Sequence, residues 1–283
     1  MKEVISASRR TDMPACYLDR LIRFVSQGFA EVDNPYSGRT HTIDIRSENV
    51  HTLVLWSKNF GPFLGKSDCF SSFHLYFLFT INDMPAFEPG VPPLARRIDQ
   101  ARELAARYGS ERIGWRYDPV IFDSDGPVAT VETFRWIGEK LAGFGIKRAI
   151  FSFLDMYGKV KSRNESLGLG IVDPPAGRKI EYANRLSETA SSLGFSLESC
   201  SERLGPIEGI TASACIDGVL LSRLRGEPAR TTKDKGQRAD CNCTLSRDIG
   251  SYRTMPCPNG CLYCYANPVI RRRPEGSKPN GAQ

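Results

Sequence analysis

Thr52-Leu53-Val54-Leu55-Trp56-Ser57 and, further on, Leu75-Tyr76-Phe77-Leu78-Phe79-Thr80-Ile81 are nearly unbroken apolar runs. A strand with one wet face alternates; a strand covered on both faces does not, and parallel sheets between helices have such strands. Working outward, residues 92–108 carry a helical stripe at Leu94, Ile98, Ala101, Leu104 and Ala105. Residues 112–117 read as a strand, 128–144 as a helix, 149–153 as a strand, 179–193 as a helix and 195–198 as a last short strand. Toward the amino end, residues 4–8 form a short apolar run. Residues 17–29 follow with helical spacing at Leu18, Leu21, Ile22 and Val25. Residues 40–46 add a small strand outside the pattern. About six strand–helix units predict an α/β protein, a partial or complete (β/α) barrel with parallel strands.

Such folds build their sites at the carboxyl ends of the strands. Polar residues stand at the predicted ends: Ser8-Arg9-Arg10-Thr11-Asp12, Ser57-Lys58-Asn59, Thr80-Ile81-Asn82-Asp83, Arg116-Tyr117-Asp118 and residues 152–155. Ser, Thr, Asp and Asn also cap helices and make turns, but five such ends together predict a polar mouth. Beyond residue 199 the texture changes to cysteine, Gly and Pro, with periodicity only at residues 216–224. The chain therefore divides into a barrel core, 1–199, and a cysteine-rich segment, 200–283, that completes the barrel around metal.

The 283 residues are 41 % hydrophobic and 25 % charged, ordinary for a soluble globular protein. No apolar run is long enough to span a membrane, and Met1-Lys2-Glu3 leads straight into a strand without a signal peptide. The expectation is a cytoplasmic protein with no membrane partner. The net charge of +6, part of it in Lys233, Lys235 and Arg271-Arg272-Arg273, reads as solvated surface or as attraction for a phosphorylated or nucleic-acid partner.

Nine cysteines are the unusual feature, seven of them after residue 199. An odd number in a cytosolic-looking chain argues for metal ligands or reactive thiols rather than a disulfide framework. Cys257-Pro-Asn-Gly-Cys261-Leu-Tyr-Cys264 has the spacing C-x3-C-x2-C. Three thiolates can hold a [4Fe–4S] cube and leave one iron open, whereas electron carriers use four. An open iron can chelate the amino and carboxylate groups of S-adenosylmethionine, whose reductive cleavage yields a 5′-deoxyadenosyl radical. Pro258, Asn259 and Gly260 suit a tight loop, and Tyr263 can pack beside cluster or adenine. Zinc is the alternative; its knuckles pair two C-x2-C units or add histidines, and no histidine follows His74. Cys200, Cys215, Cys241 and Cys243 read as a second site, a [4Fe–4S] cluster with structural zinc as the alternative, or else as buried apolar thiols. Cys16 and Cys69 stand alone and read as structural.

Residues 248–267, with Cys257, Cys261 and Cys264, resemble the cluster loop of radical SAM proteins of the spore photoproduct lyase-like branch. The whole chain resembles the family DUF1848, through Ser6–Pro14, Trp56-Ser-Lys-Asn59, Trp115-Arg-Tyr-Asp-Pro119, Cys215-Ile-Asp-Gly218 and the cysteine-rich end. In most radical SAM proteins the cysteine loop follows the first strand; here it lies near the carboxyl end. Residues 4–14, 53–59, 77–93 and 112–119 look like the second to fifth strands of that branch. The resemblance implies a circularly permuted radical SAM fold, a TIM-like partial (β/α)6 barrel. It implies that Cys257, Cys261 and Cys264 ligate the cluster. It places Ser8, Thr11 and Asp12 toward the amino group of the methionine moiety and Lys58 toward its carboxylate. Arg116 is a further carboxylate ligand, or the ion-pair partner of Asp118. Thr80, Ser152 and Asp155 would line the pocket.

The first functional expectation is therefore a radical SAM enzyme of lyase or modification type. It would be fed by a reductase such as flavodoxin or ferredoxin and act on a small-molecule or nucleic-acid substrate. No basic–aromatic stripe marks a DNA-binding face. The competing expectations are a zinc- or cluster-stabilised, non-catalytic protein that binds nucleic acid or a partner, and an electron carrier with two fully ligated clusters.

Overall fold

The structure is a computed structural model and describes residues 1–34 and 37–270; the basic run Arg271-Arg272-Arg273 lies outside them. Strand β1 (Glu3–Ala7) leads through the short helix α1 (Met13–Cys16) into α2 (Leu18–Gln27). Next come β2 (Phe29–Asp33), β3 (Thr40–Asp44), β4 (Val50–Ser57), α3 (Gly61–Leu64), β5 (Leu75–Thr80), α4 (Leu94–Tyr108), β6 (Ile113–Val120) and α5 (Val131–Gly143). The chain continues through β7 (Arg148–Phe153), α6 (Gly158–Leu167), α7 (Ala176–Ser192), β8 (Ser196–Ser199), β9 (Ile210–Ala212), α8 (Gly218–Arg225) and β10 (Arg247–Asp248).

Eight strands form one sheet in the order β10-β1-β4-β5-β6-β7-β8-β9, and its neighbouring pairs are parallel. Parallel neighbours need a crossover, and helices supply most of them. β2 and β3 form a separate antiparallel hairpin, so the small strand expected near residue 40 has a partner the sequence did not reveal. The protein is thus α/β with a parallel eight-stranded sheet. Its two edges are β10 and β9, both from the segment beyond residue 200.

The unbroken apolar runs have a direct cause. Leu53, Leu55, Phe77 and Phe79 pack into the larger core beneath the helices, while Val54, Trp56, Tyr76 and Leu78 face the opposite side. That second face is covered by Ile216, Leu221 of α8 and Cys200, Cys215, Cys241 and Cys243. In the larger core, Phe60 sits edge-on to Phe77 and Phe79 with ring centroids 5.4 and 4.9 Å apart, a geometry that suits the ring quadrupoles. Phe151 and Phe153 are buried there as well.

Helix starts shift from the periodicity where proline intervenes. Pro93 holds an extended backbone (φ −52°, ψ 148°), so α4 begins at Leu94. Thr130 caps α5 by accepting from the Thr133 amide. α6 buries only Val160 and gives no apolar stripe to read. β9 and β10 are too short to give a period. Among the described residues no helix is long and apolar enough to cross a membrane.

Candidate functional site

A cavity of about 470 Å³ opens at the carboxyl ends of the strands. Ser8 and Thr11 enter it from beyond β1, Lys58 from β4, Thr80 from β5, Arg116 from β6 and Ser152 from β7. The carboxyl-terminal segment closes it with Cys257, Cys261, Tyr263 and Cys264 on one wall and Cys200, Cys215, Cys241 and Cys243 on another.

The loop carrying Cys257, Cys261 and Cys264 follows β10 and is held from four sides. Asn259 donates through Nδ2 to Asp12 Oδ2 at 2.9 Å. Its carbonyl accepts from the Gly90 amide at 3.0 Å, and the Phe87 carbonyl accepts from the Leu262 amide at 2.9 Å. Gly90 must be glycine: a Cβ there would lie 2.6 Å from the Asn259 carbonyl oxygen. Tyr17 donates its hydroxyl to the Pro256 carbonyl at 2.7 Å. Arg163 of α6 reaches the carbonyls of Cys261, Leu262 and Cys264. Gly260 takes φ +63°, a left-handed conformation that suits glycine.

Asp12 lies fully inside. Oδ1 accepts from Ser57 Oγ at 2.7 Å and the Ala15 amide at 3.1 Å; Oδ2 accepts from the Lys58 amide and from Asn259. Burial pushes its carboxyl up, against these donors. Asp12 thus ties β4, α1 and the cysteine loop together, with its oxygens already occupied. Thr11, its neighbour, has a buried hydroxyl with no partner among the described residues and lines the cavity.

Lys58 donates through Nζ to Glu88 Oε1 at 2.8 Å. The same oxygen accepts from the buried Tyr263 hydroxyl. Arg97 stands 3.7 Å from the other oxygen, too far for a hydrogen bond. Burial alone would raise the Glu88 carboxyl; Lys58, the Tyr263 hydroxyl and Arg97 together outweigh it and hold the group below its ordinary value. Lys58 also stands 5.7 Å from the centre of the Tyr263 ring. Arg116 pairs with Asp118, which also accepts from Ser152. Arg9 and Arg116 both stack on Trp56, 5.3 and 5.0 Å from a ring centre. Ser8 is held to Asp248 Oδ1 at 2.6 Å, and Asp248 also accepts from Ser6 and from the Arg9 and Gly250 amides. That carboxylate joins β10 to β1.

The thiols divide into two groups. Burial pushes Cys261 and Cys264 up. Cys16 meets Cys257 thiol to thiol, which pushes Cys16 up and holds Cys257 below its ordinary value. Cys200 and Cys215 stand with their sulfurs 3.7 Å apart, the Ile216 amide donates to Cys243 Sγ at 3.4 Å, and Cys241 is buried in the same cluster. Among the described residues, no three thiol, carboxylate or imidazole groups are already drawn round one point as a bound ion would draw them.

The structure brings Ser8, Thr11, Asp12, Lys58, Thr80, Arg116, Tyr263 and the seven singled-out cysteines to one cavity. Asn59 and Tyr117 turn away: Asn59 accepts from Gln100, and Tyr117 is buried against Trp115 and Phe134. Cys16 is not isolated. Asp248, Arg9 and Arg163 have no role assigned from the sequence, and nothing local in the chain links Glu88 to Lys58.

Fold and site together define an α/β protein with a thiol-rich cavity at the carboxyl ends of a parallel sheet. The chain matches the family described as Domain of unknown function (DUF1848) over residues 4–266 and belongs to it. No curated protein matches the chain.

Proposed function

We propose that this protein is a radical S-adenosylmethionine enzyme with its cluster on Cys257, Cys261 and Cys264. The observation that carries the reading is the placement of these three thiols on the wall of a polar cavity at the strand ends. The residues fit the group. Thiolates are soft ligands suited to iron. The cavity also presents polar atoms without partners among the described residues: Thr11 Oγ1 and Trp56 Nε1. Such atoms are costly to bury unpaired, and a zwitterionic amino acid moiety would satisfy them.

Cys257, Cys261 and Cys264 would hold a [4Fe–4S] cluster, which, once reduced by an external donor, would supply the electron for reductive cleavage of S-adenosylmethionine. Asp12, Gly90 and Arg163 hold the loop that bears the cluster. Lys58, already balanced by Glu88, offers its ammonium to a carboxylate, and Tyr263 lies beneath it. The fold reading that goes with this is a curled, permuted barrel. β10 takes the place of a first strand: it pairs with β1 in parallel and runs into the cysteine loop.

The test is anaerobic reconstitution with iron and sulfide, reduction with dithionite, and addition of S-adenosylmethionine. Wild-type protein is expected to release 5′-deoxyadenosine and Cys261→Ala none. No iron uptake and no 5′-deoxyadenosine in either protein would overturn the reading.

A further inference from the structure

Cys200, Cys215, Cys241 and Cys243 come from places far apart in the fold. Cys200 follows β8 and Cys215 follows β9, at one edge of the sheet; Cys241 and Cys243 precede β10, the other edge. Yet all four line one cavity and lie in one buried cluster: the Cys200 and Cys215 sulfurs stand 3.7 Å apart, and the amide of Ile216, next to Cys215, donates to Cys243 Sγ at 3.4 Å. The 3.7 Å between the Cys200 and Cys215 sulfurs has a meaning. Zinc–sulfur bonds of about 2.3 Å in a tetrahedron set ligand sulfurs about 3.8 Å apart. In a cubane each cysteine binds a different iron at its own corner, and the whole cluster stands between the sulfurs.

Charge gives a second, independent observation. Arg9 and Arg116 line the same cavity as the four thiols, both against the Trp56 ring. Arg9 Nη2 and Arg116 Nε are buried without acceptors among the described residues. Asp118 pairs with Arg116, whereas Asp248 accepts from the Arg9 backbone amide and stands 4.0 Å from the Arg10 guanidinium. A divalent ion on four thiolates carries a net charge of −2 and supplies both the charge and the acceptor sulfurs.

We propose that Cys200, Cys215, Cys241 and Cys243 bind one zinc ion as a tetrathiolate staple between the two edges of the sheet. On binding, four S–H bonds release their protons to solvent as four Zn–S bonds form. The site stands on its own residues and does not depend on the proposed reaction.

The test uses the full chain carrying Cys261→Ala, so that the other cluster site is disabled. Purified protein is expected to hold one zinc per chain. Cobalt(II) put in its place should show intense thiolate charge transfer and tetrahedral ligand-field bands that added zinc abolishes. Adding Cys215→Ser should take metal retention from one equivalent to none. Three results would overturn the inference: about four irons per chain retained in Cys261→Ala and lost with Cys215→Ser, which marks a second cubane; a Cys200–Cys215 disulfide; or four thiols that react freely in a metal-free protein of undiminished thermal stability. If the double variant fails to fold, metal content and the cobalt spectrum of Cys261→Ala alone decide between these outcomes. Failure here leaves 5′-deoxyadenosine formation by the wild type untouched, so the two proposals are separately testable.

Discussion

Asp12 and Thr11 are neighbours in the chain with opposite fates. Both belong to the polar end of β1 and both enter the cavity. Asp12 has its oxygens taken by Ser57, Ala15, Lys58 and Asn259, whereas Thr11 keeps a free hydroxyl. Asp12→Asn swaps one acceptor oxygen for a donor facing donors. It should lower the unfolding free energy by about 1–3 kcal/mol, the range for a buried unpaired polar group, measured by urea denaturation. The variant should also retain less iron after reconstitution, because Asn259 loses its anchor. Thr11→Val should leave stability nearly unchanged and weaken S-adenosylmethionine binding, read by equilibrium dialysis. A second residue carries a pH signature. Burial holds His74 down at about 4, helped by Arg112, Arg225 and His51 nearby. The unfolded chain takes up its proton near pH 6.5 and the folded chain does not. Stability from this group is therefore present above pH 6.5 and lost as pH falls toward 4. The melting temperature should drop over that window, and His74→Gln should shrink the drop.

Helix α6 and the turn after β5 act on the cysteine loop without holding any ligand. α6 buries only Val160, but its Arg163 crosses to three carbonyls of the loop. Arg163→Gln should speed iron loss to a chelator several-fold while the midpoint of global unfolding hardly moves. Gly90→Ala forces a methyl group against the Asn259 carbonyl. It should lower both stability and iron retention, measured together on the reconstituted protein. In β5 the opposite division is expected. Phe77 is fully buried between Phe60, Phe63 and Tyr108. Phe77→Ala should cost about 3–5 kcal/mol by loss of buried surface and by the cavity left behind, a change read by denaturation. Ladder position explains why: along β4 and β5 alternate residues serve two different cores.

The sheet as a unit depends on its last third. β9 and β10, from the cysteine-rich segment, form its two edges, and that same segment covers the face opposite the helices. An account that treats residues 200–270 as an appendage would leave Val54, Trp56, Tyr76 and Leu78 open to water. The apolar runs in β4 and β5 were the trace of that cover. With metal on both thiol groups, as proposed, its removal by a strong chelator should lower the melting temperature of the whole sheet as one cooperative transition. A separate early step confined to the carboxyl-terminal segment would argue against this coupling.

The alternation of strands and helices, the parallel sheet and the seven cavity cysteines were legible in the chain, because periodicity and the softness of thiols are local properties. β2, α6, β9 and β10 were not: each is too short or too polar to leave a period. Residue types at strand ends pointed to a polar mouth, but not to which side chains in it are free. Asp12 looked available for a ligand until Asn259, 247 positions away, was seen to donate to it. Lys58 and Arg116 likewise have carboxylate partners, Glu88 and Asp118. A polar group's capacity for hydrogen bonds is filled by whatever the fold brings near. That choice belongs to tertiary structure, and it separates the residues that build this site from those left to use it.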